Sequence, residues 1–539
     1  MQALRLQYHF EENIGGIAIT GYEGDIPSDF VIPEEIDGKP VKRIAKSAFE
    51  ECRHIVSLRI PGSVLFIDER AFAFCRNMTK ADICDGVLSA GAYAFTGCNY
   101  LSNVRLSETL EEVGEGIFSG CSRILEVALP AGMKTVGAKA FSFCRILAKV
   151  QIPKGVHRIE NRTFEMCSNL GRVKLHEDIE VIEDRAFYGC ARLVRIDLPA
   201  SLKKIGTGVF GTCRMLSHMR IPAGVTKMGD SVFSGCTKLE EIALPDEMRA
   251  LGDGFFKECV RLEKVVLPKG ITSVGDEAFY ECKKLKQIYI PDKVDYIGHW
   301  AFSGCYALSD IYVSNNVNFI GFGAFSECRT LERVSIPDSI ASIGGGCFEG
   351  CGRFDTLVLR RTKAPCLEIY DLIRDIVTPL VVRYIDNDWQ ERTFVAMPKC
   401  AFGSEAFREA HVKNFSLSED GYHMDYDAYD EMFEYVKCFP GKLMMLISRL
   451  DAIDEWGQEA REAYTVFVDD NKEKIVRIVM LDYNVETMQR MTQIGELFTT
   501  ETINEAIAFA NQKKKVDFIS FLLDYKAKHF SDLKKKYVL

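Results

Sequence analysis

Histidine and tryptophan are scarce in this chain, at nine and three among 539 residues, and no histidine recurs at a fixed interval. A metal site repeated along the chain is therefore excluded as its organising principle. An excess of basic charge is also missing: 67 Lys and Arg stand against 77 Asp and Glu, a formal net charge of −10. That balance argues against a nucleic-acid binder, whose footprint is usually basic, and leaves only local basic patches. No apolar run reaches the roughly 18 residues that a membrane-spanning helix needs. The opening MQALRLQYHFEENIGG has no apolar segment of a secretory leader and is acidic by Glu11. The expected compartment is cytoplasmic, with the cell surface or secretion as the alternative if a leader has been removed. Catalytic signatures are lacking too: no GxxxxGK(S/T), HExxH or GxSxG occurs. The run Gly344, Gly345, Gly346 has no Lys-Ser or Lys-Thr behind it. The expectation is a chain with no catalytic residues, no cofactor and no metal.

Cysteine, in contrast, is abundant at 19 residues, yet never in the paired CxxC spacing of a zinc site. Fourteen of the cysteines each follow a phenylalanine by three residues, from Phe49/Cys52 to Phe348/Cys351, at a strict interval of 23. Such regularity marks a stacked repeat. The series runs through Phe187/Cys190, Phe210/Cys213 and Phe233/Cys236. These read as a structural ladder, a large and a small filler alternating in one continuous core, with cysteine acting as a small buried hydrophobe.

One copy, DEAFYECKKLKQIYIPDKVDYIG (276–298), shows how a coil is built. Phe279, Cys282 and Leu285 lie three apart, a helical or 3₁₀ spacing. Ile288 and Ile290 alternate with Gln287 and Tyr289 as in a strand, which Pro291 ends because it lacks a ladder donor. Val294 and Ile297 point inward from a second short extended piece, and Gly298 is expected to supply unusual dihedrals at the turn. At about 4.8 Å per coil, fourteen coils would extend roughly 65 Å. Copy two, ADICDGVLSAGAYAF, lacks the proline and the Ile-Gly pair, so local irregularity is expected there.

This pattern, LxxVxIPxxVxxIGxxAFxxC, resembles the BspA-type leucine-rich repeat family and departs from commoner leucine-rich repeats in having no recurrent Asn. The resemblance implies an α/β solenoid over 31–361, preceded by an N-terminal β cap at 1–30 that shields the first coil. It also implies bacterial surface adhesion to host or matrix proteins as one candidate role.

The period ends after Arg361. Residues 362–420 are read as a closing segment or linker, in which TKAPCLEIYDLIRDIVTPLVVRYID is expected to form a helix and a strand. From 421 to 539 the pattern is helical, an all-α domain of helical hairpins. KEKIVRIVMLDYN and KVDFISFLLDYKA echo each other, weakly resembling ankyrin-like helices, and Thr500 or Thr502 is placed to cap the helix before the second.

The strand positions flanking the inward valine are free to vary, and stacking turns them into a two-column surface. Lys149, Arg172, Lys174, Arg195, His218 and Arg220 form a basic cluster on it, with Asp197 as partial neutralisation. Val266, Tyr289, Tyr312 and Val358 form a more apolar strip. Arg and Tyr are favoured at interfaces because they join a large contact area to a polar tip. The function expected is a non-enzymatic scaffold that displays this surface to a protein partner, with no nucleic acid and no membrane span; the alternative is the adhesin.

Overall fold

In the computed structural model, residues 7–13, 15–360, 380–385, 391–396, 426–436 and 439–530 are described. They fall into two units, Met1–Phe354 and Asp355–Leu539.

The first unit is a solenoid whose coils each have two strand sides and one side of turns. On the first strand side, Lys149–Gln151 pairs in parallel with Arg172–Lys174, each residue opposite the one 23 further on. On the second, Ser273–Val274, Tyr296–Ile297 and Phe319–Ile320 pair in the same way. Prolines do more than end strands: the carbonyls of Pro153, Pro199, Pro222 and Pro291 accept the N–H three residues on, closing the corner between the two sides.

The turn side carries the stack. The expected helical piece is a pair of i to i+3 turns, with Cys190 N–H donating to the Phe187 carbonyl and Leu193 N–H to the Cys190 carbonyl. A helix cannot continue because the residues two before and two after each repeat phenylalanine adopt positive φ, as at Arg185 (φ 54°) and Gly189 (φ 75°). This alternation turns N–H groups out toward the next coil. Arg185, Phe187 and Gly189 donate to the carbonyls of Thr207, Val209 and Gly211 at 2.8, 3.1 and 2.8 Å. The same three bonds recur at every step from Ser47 to Glu349. Many of the left-handed residues are not glycine, including Phe143, Met166 and Trp300. Each costs about 1–2 kcal/mol, which the inter-coil bond offsets. The strand sides are less complete. Among the described residues, pairing lapses between Thr135–Val136 and Arg158–Ile159, and between Arg172–Lys174 and the next coil.

Behind the turns, the fourteen phenylalanine rings form one stack with centroid spacings of 5.1–5.9 Å. The cysteines lie beside it and are more than fillers. Each thiol from Cys75 to Cys351 donates to the phenylalanine carbonyl of the preceding coil, as Cys213 does to Phe187 at 3.2 Å. Burial pushes the Cys213 thiol up to about 12, so it stays protonated and donating at neutral pH. The acceptor changes what a substitution should do. In Cys213→Ser the hydroxyl keeps the Phe187 carbonyl as partner, and the expected loss is about 1 kcal/mol. Cys213→Val removes the donor and adds volume, and should cost about 2–3 kcal/mol. Urea midpoints of the two variants check this order; serine costing more than valine would mean the thiol bond contributes nothing.

Two sequence expectations need correction. Gly298 has no left-handed backbone; an added Cβ would lie 2.5 Å from the Asp276 nitrogen and 2.6 Å from the Gly275 carbonyl carbon. Glycine is required there by the approach of the neighbouring coil. Copy two is regular: Lys80–Ile83 pairs on both sides, with Ser57–Ile60 and with Asn103–Arg105. Cys84, standing where other coils have proline, supplies an N–H to the Ile60 carbonyl and so prolongs the ladder. The cap is an antiparallel hairpin, Gln7–Asn13 with Gly16–Glu23, whose second strand pairs in parallel with Lys39–Ile44. Its Tyr22 ring stacks on Phe49 at 5.5 Å and so extends the aromatic column.

The second unit begins with strands Thr356–Arg360, Leu380–Ile385 and Glu391–Ala396, the first two parallel and the last two antiparallel. Of TKAPCLEIYDLIRDIVTPLVVRYID, the expected strand is Leu380–Ile385, and the rest, including the expected helix, lies outside the described residues. Six α-helices follow among the described residues: α1 Tyr426–Glu431, α2 Phe439–Arg449, α3 Gln458–Asp482, α4 Val485–Met491, α5 Thr502–Gln512 and α6 Val516–His529. KEKIVRIVMLDYN is therefore the second half of the 25-residue α3, and only α5 and α6 form the hairpin expected from that echo. Neither Thr500 nor Thr502 is the N-cap of α5: Glu501 precedes it without a side-chain cap, while the Thr499 hydroxyl accepts Thr502 N–H at 3.2 Å and the Thr502 hydroxyl accepts Thr499 N–H at 2.7 Å. In the core, Arg449 grips both carboxylate oxygens of Asp430 at 2.9 and 3.1 Å, and the Tyr464 hydroxyl donates to the same carboxylate at 2.7 Å.

Candidate interaction groove on the strand face

Inward positions on the first strand side are apolar and covered: Val150, Ile196 and Met219 are buried. Period-two alternation then forces both neighbours of each one outward. Lys149, Arg172, Lys174, Arg195, His218 and Arg220 are accordingly all exposed. Stacking places the Lys149–Gln151 and Arg172–Lys174 strands directly side by side.

The cations are not equivalent. Lys149 is tied to Glu126 at 2.6 Å, and Arg195 to Asp197 on its own strand at 2.7 Å. His218 shares a hydrogen bond with the Ser217 hydroxyl at 2.9 Å. Arg172, Lys174 and Arg220 have no ion pair or side-chain hydrogen bond among the described residues. The sequence cluster of six thus resolves into three uncommitted cations and three engaged side chains.

The surface is concave, which the residue pattern alone does not indicate. An open groove of about 1110 Å³ runs across five coils, from Ser102 to Asp197, and includes Lys149, Arg172, Lys174 and Arg195. One wall is the column of residues four after each cysteine, where Leu125 and Val194 stand 53% and 47% exposed. This column is inconspicuous in the sequence because its other groove members are Ser102 and Gly171. The available signal was that none of these is charged, whereas Glu240 and Glu263 hold the position further along.

Three members of the apolar strip reach the surface. Val266, Tyr289 and Tyr312 are exposed, and Tyr289 and Tyr312 are bridged on adjacent coils. Val358 does not belong to it, being 2% exposed with its side chain in the core. Tyr289 donates to Asp292 at 3.3 Å.

Catalytic and metal chemistry find little to build on at these positions. The ladder thiols are buried and protonated rather than poised as nucleophiles. Among the described residues, no three His, Cys, Asp or Glu side chains are grouped to hold a metal ion, and no helix is long and apolar enough to cross a membrane.

Comparison with known proteins agrees with this architecture. A family profile described as BspA type leucine rich repeat region matches residues 29–148, 134–262 and 249–363. A leucine-rich repeat protein from Bacteroides ovatus is 30% identical, with 66% of this chain and 93% of that one covered and a TM-score of 0.60. A leucine rich cell surface protein from Faecalibacterium prausnitzii is 24% identical over 65% of this chain and 93% of that one, with a TM-score of 0.42. No curated protein matches the chain.

Proposed function

The chain belongs to the BspA-type leucine-rich repeat family, and from that premise we propose that it is a non-enzymatic binding module that receives a protein partner in the strand-face groove. The family is a repeat scaffold, and leucine-rich repeat proteins typically bind proteins. The observation that carries the reading is the groove itself, with Arg172, Lys174 and Arg220 exposed at or beside it and uncommitted to any carboxylate. Such side chains bind without first breaking an internal ion pair, and arginine is prominent among residues that dominate interfaces. A reducing compartment suits the reading, since the ladder thiols serve as hydrogen-bond donors, a role a disulfide would abolish.

The test is capture from a cell lysate and, separately, from an extracellular-matrix extract. Wild type is compared with Arg172→Ser/Lys174→Ser/Arg220→Ser and with Lys154→Ser/Arg214→Ser/Lys269→Ser, which removes the same charge away from the groove. The groove variant is expected to lose a retained protein that the control variant keeps. Identical retention by all three would remove the groove from consideration. A groove-dependent protein found in the matrix extract alone would place the module outside the cell, as an adhesin.

A further inference from the structure

Resting on the groove reading above, we propose that the occupant is an extended acidic peptide segment carrying aliphatic side chains, laid along the solenoid axis. Charge decides the first half. Arg172 and Lys174 lie two residues apart on one strand, about 7 Å, and Lys174 and Arg220 lie two coils apart, about 10 Å. An extended peptide running along the axis passes Lys174 and Arg220 about three residues (roughly 10 Å) apart, and Arg172 reaches it from the side across the strand face. Each carboxylate that meets one of these cations forms a charge-assisted pair.

The wall decides the second half. Leu125 and Val194 are two of the large apolar side chains that the solenoid leaves half exposed, and they flank the cations at coils three steps apart. An aliphatic side chain of the peptide would cover each. Five coils span about 20–25 Å, room for roughly six or seven extended residues.

The same features disfavour a polyanion. Among the described residues no aromatic side chain lines the groove to stack on a base, although stacking supplies much of single-strand affinity. Glu126 and Asp197 stand within it and would repel a continuous phosphate or sulfate chain, whereas a peptide places its charges where the cations are and neutral residues elsewhere.

The experiment is fluorescence anisotropy of the full chain with a short labelled peptide of Glu, Asp, Leu and Ser at about 0.15 M ionic strength. Comparators are the same peptide with Leu replaced by Ser, the same peptide with its acids replaced by amides, a single-stranded oligonucleotide and a sulfated oligosaccharide. The acidic-aliphatic peptide is expected to bind best. Its affinity should fall at least about tenfold in Arg172→Ser/Lys174→Ser/Arg220→Ser and by a few-fold in Val194→Ser. Binding indifferent to those substitutions, or tighter binding of either polyanion, overturns the proposal. If capture depends on the groove but no such peptide binds there, the groove stands and only the ligand class falls. Because the substituted side chains are exposed, hydrogen exchange at the Phe187 and Phe210 amides should be unchanged, which separates lost binding from lost folding.

Discussion

Phe210→Ala is expected to destabilise the solenoid by about 3–5 kcal/mol, the range for truncating a buried aromatic. The ring is fully buried and stacks on Phe187 at 5.9 Å and on Phe233 at 5.8 Å. Its loss opens a cavity flanked by two rings that cannot close on it, because three backbone bonds per step hold the coils at a set spacing. Coils interact mainly with their neighbours, so the damage should be local. Hydrogen exchange should rise first at the inter-coil amides of Phe187, Phe210 and Thr212 and stay near its original value at Phe72 and Phe325. Tyr289→Ala, made at a 58% exposed ring, should change stability by less than about 0.5 kcal/mol. A Phe210→Ala loss below about 1 kcal/mol would mean the aromatic column is not the core of the stack.

Arg449→Ala should be comparably costly in the helical unit, about 3–5 kcal/mol. Arg449 and Asp430 are 1% and 4% exposed, so deleting the guanidinium strands a carboxylate away from water. Among the described residues, only the Tyr464 hydroxyl would remain of the side-chain donors now bonded to it. Burial and the adjacent Asp430 charge hold that tyrosine's ionisation well above its usual range, so it remains a donor. Removing both charges together, as Asp430→Ala/Arg449→Met, should recover much of the loss, because no charge is then buried alone. Trp456, whose indole donates to the Arg449 carbonyl at 3.1 Å, provides the fluorescence reporter for urea unfolding. Near-equal stability of wild type and Arg449→Ala would show that water reaches the carboxylate.

Particular residues show how far the chain could be read before folding. The period, the inward Phe, Cys and Leu and the outward columns were legible because each coil repeats the same constraint fourteen times. One coil would have left helix and strand undecided. Within the helical unit only a single echo was available, and it sets KEKIVRIVMLDYN apart although that segment belongs to the second half of α3. A threonine cap for α5 is not fixed by the pattern, because any of Thr499, Thr500 and Thr502 satisfies it, while the structure has Glu501 at the cap and reciprocal bonds between Thr499 and Thr502.

By itself the sequence determined a 23-residue stacked solenoid, its buried ladder and the identity of the side chains it exposes, because alternation and period are local properties that survive stacking. The tertiary structure alone decided three things. It decided that the turns, more completely than the strands, bind coil to coil, since left-handed dihedrals at Arg185 or Met166 answer to the neighbouring carbonyl and not to residue preference. It decided which cations are free, since Lys149 and Arg195 are taken by carboxylates whose reach depends on coordinates. And it decided that the basic columns border a groove with Leu125 and Val194 on its wall, because five successive coils line that groove and no single coil forms it.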